Sequence, residues 1–243
     1  MVGKMGGKIN INEMSLKGLH SQIEKIFLSF KIEKNSKILI LGCGEGAAES
    51  WLIKNNYKNI TSVDYYTENK LKKKINFKKI NLNEKDFFKK IDDKFDVVIC
   101  IEIIEHLDDV NSFLFNISNL VTKNSKVIIS TPNLHSKLSR IDYLLTGYPT
   151  LFISKPNIGG HVNPIMVSIF KHYCKINNFR VKKIYGYGSI LNYLKAYKKI
   201  GLKSYIYLFI LTFLYFFLNP LMILNKKNNK KIINIFLIEK NEI

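Results

Sequence analysis

The chain has 243 residues, which is enough for one large domain or for a domain with an appendage. Its hydrophobic content of 47% suffices for a packed core and excludes an intrinsically disordered chain. The formal net charge is +19, but the only arginines are Arg140 and Arg180. Nucleic-acid binders commonly use arginine for base and phosphate contacts, so a nucleic-acid partner is not favoured. We interpret the lysines as solvated surface charge, with an anionic membrane surface as the alternative partner.

The cysteines exclude two kinds of site. Cys43, Cys100 and Cys174 lie far apart and form no CxxC pair, so a zinc site or a disulfide framework is not expected. The first residues also lack the apolar stretch of a signal peptide. Both features predict a cytoplasmic protein.

Hydrophobic patterning predicts strands that alternate with helices. The predicted strands are Lys37–Leu41, Asn59–Asp64, Ile75–Ile80, Phe95–Cys100, Lys126–Ser130, Phe179–Ile184 and Lys231–Ile238. The predicted helices are Met14–Phe30, Glu45–Asn55, Val110–Val121, Leu134–Thr146 and Pro164–Asn177. Gly147–Gly160 is rich in glycine and proline and is predicted to be a loop or lid. Strands that are apolar throughout and alternate with helices predict an α/β fold, with a mostly parallel sheet covered on both faces.

The region before the last strand differs from the rest of the chain. Ile190–Leu202 is predicted to be a basic amphipathic helix, and Ser204–Asn225 carries no charged residue over 22 positions. That length could span a membrane, but the final strand must return to the sheet. We therefore predict an apolar helical insertion that lies at an anionic membrane interface, with a buried helix or a homodimer interface as alternatives. We predict four segments along the chain. They are an N-terminal helical segment at 1–34, the main α/β domain at 35–188, the basic and apolar insertion at 189–229, and the final strand of the main domain at 230–243.

A glycine turn follows the first strand. Gly42, Gly44 and Gly46 would let backbone amides approach a ligand at the N-terminus of a helix. Asp64 ends the second strand, 22 residues after Gly42, where a carboxylate can accept both hydroxyls of a ribose. Since Gly42-x-Gly44-x-x-Ala47 also fits a dinucleotide fingerprint, a nicotinamide oxidoreductase is an alternative, although no Tyr-x-x-x-Lys pair is in place.

Several segments together resemble the class I S-adenosylmethionine-dependent methyltransferases, in particular the branch of ubiquinone-biosynthesis O-methyltransferases and surface-polysaccharide methyltransferases. They are Leu41–Gly46, Val63-Asp64, Phe95–Cys100, Glu102–Leu107, Ser130–Asn133 and His161–Pro164. The resemblance covers the chain from about Lys31 to about Ile184. It implies a Rossmann-like seven-stranded sheet of order 3-2-1-4-5-7-6 with the last strand antiparallel. It also implies a donor site formed by Gly42, Cys43, Gly44, Gly46, Asp64, Asn81 and Glu102.

Two positions depart from the family pattern. The acid usually found two residues before the first glycine is replaced by Ile40, and the acid expected near the adenine is replaced by Asn81. An asparagine can still hydrogen-bond an adenine. A non-catalytic, membrane-attached binding module that turns over no donor is therefore a further alternative.

The residues that line the reacting centre are predicted to follow the fourth strand. Glu102, Glu105 and His106 would share one face of a helix, and two carboxylates with an imidazole can hold a hard divalent cation such as Mg²⁺. The ExxEH pattern followed by a later histidine, here His161, resembles the metal site of small-RNA 2′-O-methyltransferases. Without a metal, His106 or His161 could be the general base, assisted by Glu105. Alternatively, the two glutamates could hold the amino group of the donor.

The predicted function is O-methylation of a glycan, a glycan precursor or a lipid-linked acceptor, on the cytosolic face of the membrane or in the cytoplasm. His20, His135 and His172 have no comparable context and are predicted to be structural or exposed.

Overall fold

The structure is a computed structural model, and it describes residues 10–152, 160–190, 192, 209–210, 213–214, 217 and 231–241. Within these residues seven strands form one sheet in the order β3-β2-β1-β4-β5-β7-β6. Neighbouring strands are parallel except that β7 is antiparallel to both β5 and β6. The predicted fold class, strand order and antiparallel last strand are confirmed.

The bounds of the elements agree with the sequence-based prediction to within a few residues at most ends. The strands are β1 Ile38–Leu41, β2 Ile60–Asp64, β3 Asn76–Lys79, β4 Phe95–Ile101, β5 Val121–Pro132, β6 Phe179–Tyr187 and β7 Ile233–Lys240. The α-helices are α1 Leu19–Ser29, α2 Ala47–Lys54, α3 Val110–Leu120, α4 Lys137–Thr146 and α5 Val167–Ile176. Two 3-10 helices, Phe87–Lys90 and Ile104–His106, were not predicted.

The sheet separates two apolar layers. Alternate side chains of β1 point to opposite faces, so Ile38 and Ile40 pack with α1 and α2, whereas Leu39 and Leu41 pack with the side chains of α3 and α5. All four residues of β1 are buried. A central strand covered on both faces in this way explains the continuous apolar runs that predicted a parallel sheet.

The first helix starts later than its apolar pattern predicts. The prediction placed its start at Met14, but α1 begins at Leu19 because Gly18, at φ 83°, has a left-handed backbone conformation. The residues before Gly18 form turns that run along the glycine turn after β1, where the Asn12 backbone N–H donates to the Glu45 carboxylate at 2.7 Å. The N-terminal segment therefore contributes to the site described below.

Most of the predicted basic and apolar insertion lies outside the described residues, so neither it nor the predicted domain boundaries are tested. The described part of Ser204–Asn225 includes Phe209, Ile210, Phe213 and Phe217, all exposed. No helix within the described residues is long and apolar enough to cross a membrane.

Candidate active site

A cleft of about 630 Å³ opens at the carboxyl edge of β1, β2 and β4. Parallel α/β sheets bind ligands at this edge, beyond the ends of the strands. Six of the predicted site residues line the cleft, namely Gly42, Gly44, Asp64, Asn81, Glu102 and His106. The structure therefore brings the first part of the glycine turn, the acid of β2 and the segment after β4 to one cavity.

The glycine turn is shaped by its hydrogen bonds to β2. The N–H groups of Gly42 and Cys43 both donate to the Val63 carbonyl, at 2.8 and 3.1 Å. Gly42 has φ 72°, and a Cβ atom there would lie 2.0 Å from Cδ1 of Ile103. A side chain is therefore excluded at Gly42 by both the backbone conformation and the contact.

The Asp64 carboxylate is held by backbone groups on two sides. Its Oδ2 accepts from the Gly44 N–H at 2.9 Å, and its Oδ1 accepts from the N–H groups of Tyr66 and Thr67 at 3.0 and 2.8 Å. These three bonds fix the carboxylate at the rim of the cleft. A carboxylate has about four acceptor positions in all, so capacity remains for a ligand hydroxyl.

Two predicted donor residues do not line the cleft. Cys43 is buried behind the turn, where Nδ2 of Asn69 lies 3.3 Å from its sulfur. Gly46, at φ 105°, is the N-cap of α2, and a Cβ atom there would lie 2.8 Å from Oδ1 of Asn69. Both positions shape the turn from behind. Asn69, which bridges them, was not identified from the sequence.

Glu102 is held in a strained conformation at the end of β4. Its φ is 53°, a left-handed value that is uncommon for any residue other than glycine. Ser130 at the end of β5 holds it twice, because its Oγ accepts from the Glu102 N–H at 3.0 Å and donates to the Glu102 carboxylate at 2.8 Å. Burial raises the pKa of Glu102 to about 7. Such strain is typical of functional sites.

Three of the four predicted metal ligands come together. One ligand atom from each of Glu105, His106 and His161 lies within 4.8 Å of the others, and we call these residues the acid–imidazole cluster. Glu102 is not part of this group. The segment forms a single 3-10 turn at Ile104–His106 rather than the α-helix that would have put all three predicted side chains on one face.

The backbone of the cluster is joined by hydrogen bonds across the fold. The N–H groups of Val162 and Asn163 both donate to the Glu105 carbonyl at 2.9 Å. Nδ1 of His106 lies 3.0 Å from the Gly160 carbonyl, and the two imidazole rings are 4.6 Å apart, edge to face. The later histidine therefore reaches the cluster because its own segment is bonded to the 3-10 turn.

Burial dominates the electrostatics of the cluster. The pKa of Glu105 lies well above its usual range because of burial and then because of the nearby Glu102 charge, so the carboxyl favours its neutral form. Burial lowers the pKa of His106, and it lowers that of His161 to about 4, with His106 contributing. Both imidazoles are neutral near pH 7.

Two buried atoms of the cluster have no hydrogen-bond partner in the described part of the chain. They are Oε1 of Glu105 and Nδ1 of His161. The other oxygen of Glu105 accepts from the Thr131 hydroxyl at 3.1 Å. The sequence identifies Ser130 and Thr131 only as part of a segment that resembles the family. The signal that could have identified them is a pair of hydroxyl residues at the carboxyl end of an apolar strand.

Comparison with known proteins gives a consistent result. The sequence profile of a methyltransferase domain family matches residues 19–184. A ubiquinone biosynthesis O-methyltransferase of Rickettsia bellii is 30% identical over 157 residues, which is 60% of this chain and 61% of that protein. The chain thus spans about three fifths of the length of the curated relatives it matches.

Solved structures share the fold at lower identity. A SAM-dependent methyltransferase from Archaeoglobus fulgidus superposes with a TM-score of 0.62 at 18% identity, covering 93% of this chain and 95% of that one. Magnesium protoporphyrin IX methyltransferase from Synechocystis PCC 6803, solved with bound SAH, gives a TM-score of 0.56 at 10% identity, covering 92% and 82%. These likenesses establish the fold.

Proposed function

The chain belongs to the methyltransferase domain family, and from that premise we propose that it transfers a methyl group from S-adenosylmethionine to an oxygen atom of an acceptor. The observation that carries the proposal is the position of His106. It lines the donor cleft and also belongs to the acid–imidazole cluster. A neutral imidazole at that junction can take the proton of an acceptor hydroxyl.

The donor cleft fits a nucleoside sulfonium. We assign the ribose hydroxyls to Asp64, whose carboxylate is already oriented by backbone N–H groups. Asn81 lies on the same side of the cleft, where its amide can bond the adenine. The Ile103 side chain already occupies the position of a Cβ at Gly42, so glycine allows the turn to pack against the segment after β4 at the wall of the cleft.

His106 has the tautomer that a base needs. Because the Gly160 carbonyl can only accept, Nδ1 of His106 carries the proton, and the lone pair of Nε2 is free. When the acceptor oxygen attacks the methyl carbon, the bond from carbon to sulfur breaks and its electrons stay on sulfur. Nε2 of His106 accepts the proton released by the oxygen. The lowered pKa of His106 keeps the imidazole in the basic form near neutral pH.

The acid–imidazole cluster also fits a divalent cation. Glu105 and His161 each have an unpartnered buried atom, and both belong to one cluster with His106. Carboxylate with imidazole donors suits Mn²⁺, Fe²⁺ or Zn²⁺, whereas Mg²⁺ prefers oxygen. As the alternative to the general base, we propose Glu105, His106 and His161 as its ligands, so that Nε2 of His106 would bind the cation instead of the proton, with Glu102 outside this group and available to the donor. A bound cation would lower the pKa of an acceptor oxygen.

We propose an apolar or lipid-linked acceptor, including a glycan or glycan precursor carried on a lipid. The relatives named for ubiquinone biosynthesis support oxygen as the acceptor atom. The exposed aromatic side chains of Phe209, Phe213 and Phe217 support contact with an apolar surface. The insertion would then lie on the cytosolic side of an anionic membrane, with burial in a homodimer as the alternative. Cosedimentation with anionic and neutral vesicles tests this assignment.

The first experiment is calorimetric titration of the purified protein with S-adenosylhomocysteine and with NAD, each with and without a divalent cation. Micromolar binding of S-adenosylhomocysteine alone is expected. Binding of NAD alone would show that the protein is instead a nicotinamide oxidoreductase. Binding of neither ligand would support a non-catalytic module. An acceptor screen with labelled S-adenosylmethionine then tests for transfer to oxygen.

A further inference from the structure

A small cavity lies against the glycine turn, next to the donor cleft. It has a volume of about 30 Å³, and it shares Met14, Gly42, Gly44 and Ile101 with the wall of the cleft. Since a cavity of this size holds about two water molecules, it can hold the two oxygens of a carboxylate. The cavity is therefore an extension of the donor cleft behind the turn.

Two unpartnered polar atoms belong to residues of its wall. Nδ1 of His20 and Oγ of Ser15 are buried without a hydrogen-bond partner in the part of the chain that the structure describes. The His20 side chain is only 9% exposed. A buried polar group without a partner costs stability unless a ligand or water satisfies it. These two atoms indicate that the cavity receives a polar group.

The N-terminus of α2 forms another side of the same cavity. Ala47 and Ala48, the first two residues of this helix, line the cavity, and the N-cap Gly46 has no side chain to bond their N–H groups. The N–H groups of the first helical turn and the helix dipole favour an anion at this position. The group that the cavity receives is therefore expected to be negatively charged.

We propose that His20 and Ser15 bind the carboxylate of the methionyl part of the donor, together with the N-terminus of α2. This inference rests on the proposed function. In the proposed binding mode the ribose lies at Asp64, whose carboxylate is bonded to the Gly44 N–H, so the amino-acid part of the donor extends to the other side of the turn, where the cavity lies. The His20 imidazole and the Ser15 hydroxyl then each donate a hydrogen bond to a carboxylate oxygen.

The acidic residue in the wall does not oppose this arrangement. The Glu45 carboxylate accepts from the Asn12 backbone N–H at 2.7 Å and from Nζ of Lys70 at 2.7 Å. Nζ of Lys70 also donates to the Asn10 carbonyl at 2.8 Å. The positive charge of Lys70 therefore offsets the negative charge of Glu45. The same bonds hold the N-terminal segment, which carries Met14 and Ser15, against the turn.

The test compares two ligands that differ only in the amino-acid part. S-adenosylhomocysteine carries the carboxylate, whereas 5′-methylthioadenosine has the same nucleoside thioether without it. For His20→Ala we expect the affinity for S-adenosylhomocysteine to fall about tenfold and that for 5′-methylthioadenosine to stay within about twofold, because only one charge-assisted hydrogen bond is removed. Ser15→Ala, a smaller change, should give the same pattern at about threefold.

The controls separate this proposal from the proposed function. If the unmodified protein does not bind S-adenosylhomocysteine, the proposed function fails and this assignment fails with it. If it binds but both ligands weaken equally in both variants, or neither weakens, the carboxylate assignment alone is overturned. His172→Ala, which removes an exposed imidazole of α5, should leave both affinities unchanged.

Discussion

The donor cleft and the acid–imidazole cluster meet at His106, but they differ in whether their polar groups already have hydrogen-bond partners. In the cleft, the Asp64 carboxylate is bonded by three backbone N–H groups before any ligand arrives. In the cluster, Glu105 and His161 each keep a buried atom without a partner in the described residues. The carboxylate of the cleft is thus already fixed in position, whereas the cluster keeps polar atoms that can accept a further partner, as the proposed function requires.

His106→Ala is the variant that should separate the two regions most clearly. Loss of the imidazole is expected to lower kcat by about 10³-fold, because a positioned general base contributes about 10²–10⁴-fold. The donor affinity should stay within a few-fold, since the donor is held by the glycine turn and Asp64. Single-turnover methyl transfer and titration with S-adenosylhomocysteine measure the two effects.

His135→Ala is the matched control for that variant, because His135 also has a pKa lowered by burial but lies outside the cluster. Its activity should be that of the unmodified protein. Full activity of His106→Ala would remove His106 from the mechanism. An equal loss of activity and donor affinity would place its role in the cleft.

Gly42→Ala should damage the cleft and leave the cluster intact. The new Cβ would meet Cδ1 of Ile103 at 2.0 Å, so the turn or Ile103 must move. We expect the affinity for S-adenosylhomocysteine to fall on the order of 100-fold, because an overpacked contact costs about 1–3 kcal/mol and is relieved by displacing the wall of the cleft. Binding of a divalent cation, measured separately, should not change.

Gly147→Ala isolates the steric part of that effect. Gly147 has φ 77°, close to the φ 72° of Gly42, but a Cβ atom there meets nothing within 4 Å. It should share the cost of the left-handed backbone without any loss of donor affinity. If the two variants bind the donor equally well, the contact with Ile103 is not what requires glycine at position 42.

The two regions also differ in how far the sequence predicts them. The cleft follows from local patterns, because a strand, a glycine turn and an acid after the next strand are each visible in a short segment. The order and direction of the strands followed from the family resemblance and are confirmed. What the pattern did not predict is Gly18, whose left-handed conformation ends the helical periodicity and frees Met14 and Ser15 for the site.

The cluster depends on contacts that are distant in sequence. The spacing of Glu102, Glu105 and His106 suggested one helical face, but a 3-10 turn and the φ of 53° at Glu102 send that carboxylate to the cleft. Ser130 stabilises this conformation from β5, 28 residues away. Such a bond has no periodic signal in the sequence. His161, in contrast, was placed by resemblance, and the structure puts it beside His106.

A third buried carboxyl, behind the glycine turn, provides a test of the electrostatics. Glu49 on α2 is fully buried, and its Oε1 accepts from Asn69 at 2.8 Å. Burial is the main cause of its raised pKa. Ionisation therefore costs more in the folded than in the unfolded state, so the stability present below the unfolded pKa is lost as the pH rises through the folded pKa.

Glu49→Gln should remove that loss while keeping an oxygen for Asn69. We expect the variant and the unmodified protein to have similar melting temperatures at about pH 4, and the variant to be higher by about 2–4 °C at about pH 8, the shift that about 1 kcal/mol produces in a chain of this size. Thermal unfolding across that range measures it, with Glu33→Gln, an exposed position, as control. A difference that does not depend on pH would contradict the ionisation argument.

Asn81→Asp should give the smallest effect and acts on the cleft alone. Asn81 lines the cleft where the family usually has an acid, and its Oδ1 accepts from the Asn83 N–H at 3.0 Å. A carboxylate could keep that bond and accept a stronger one from the adenine amine, so we expect the affinity for S-adenosylhomocysteine to rise about threefold. Asn35→Asp, which adds the same charge at an exposed position, controls for the change in net charge. If Asn81→Asp weakens binding instead, the amide of Asn81 donates a hydrogen bond to the adenine ring. The departure from the family pattern at this position would then contribute to donor affinity.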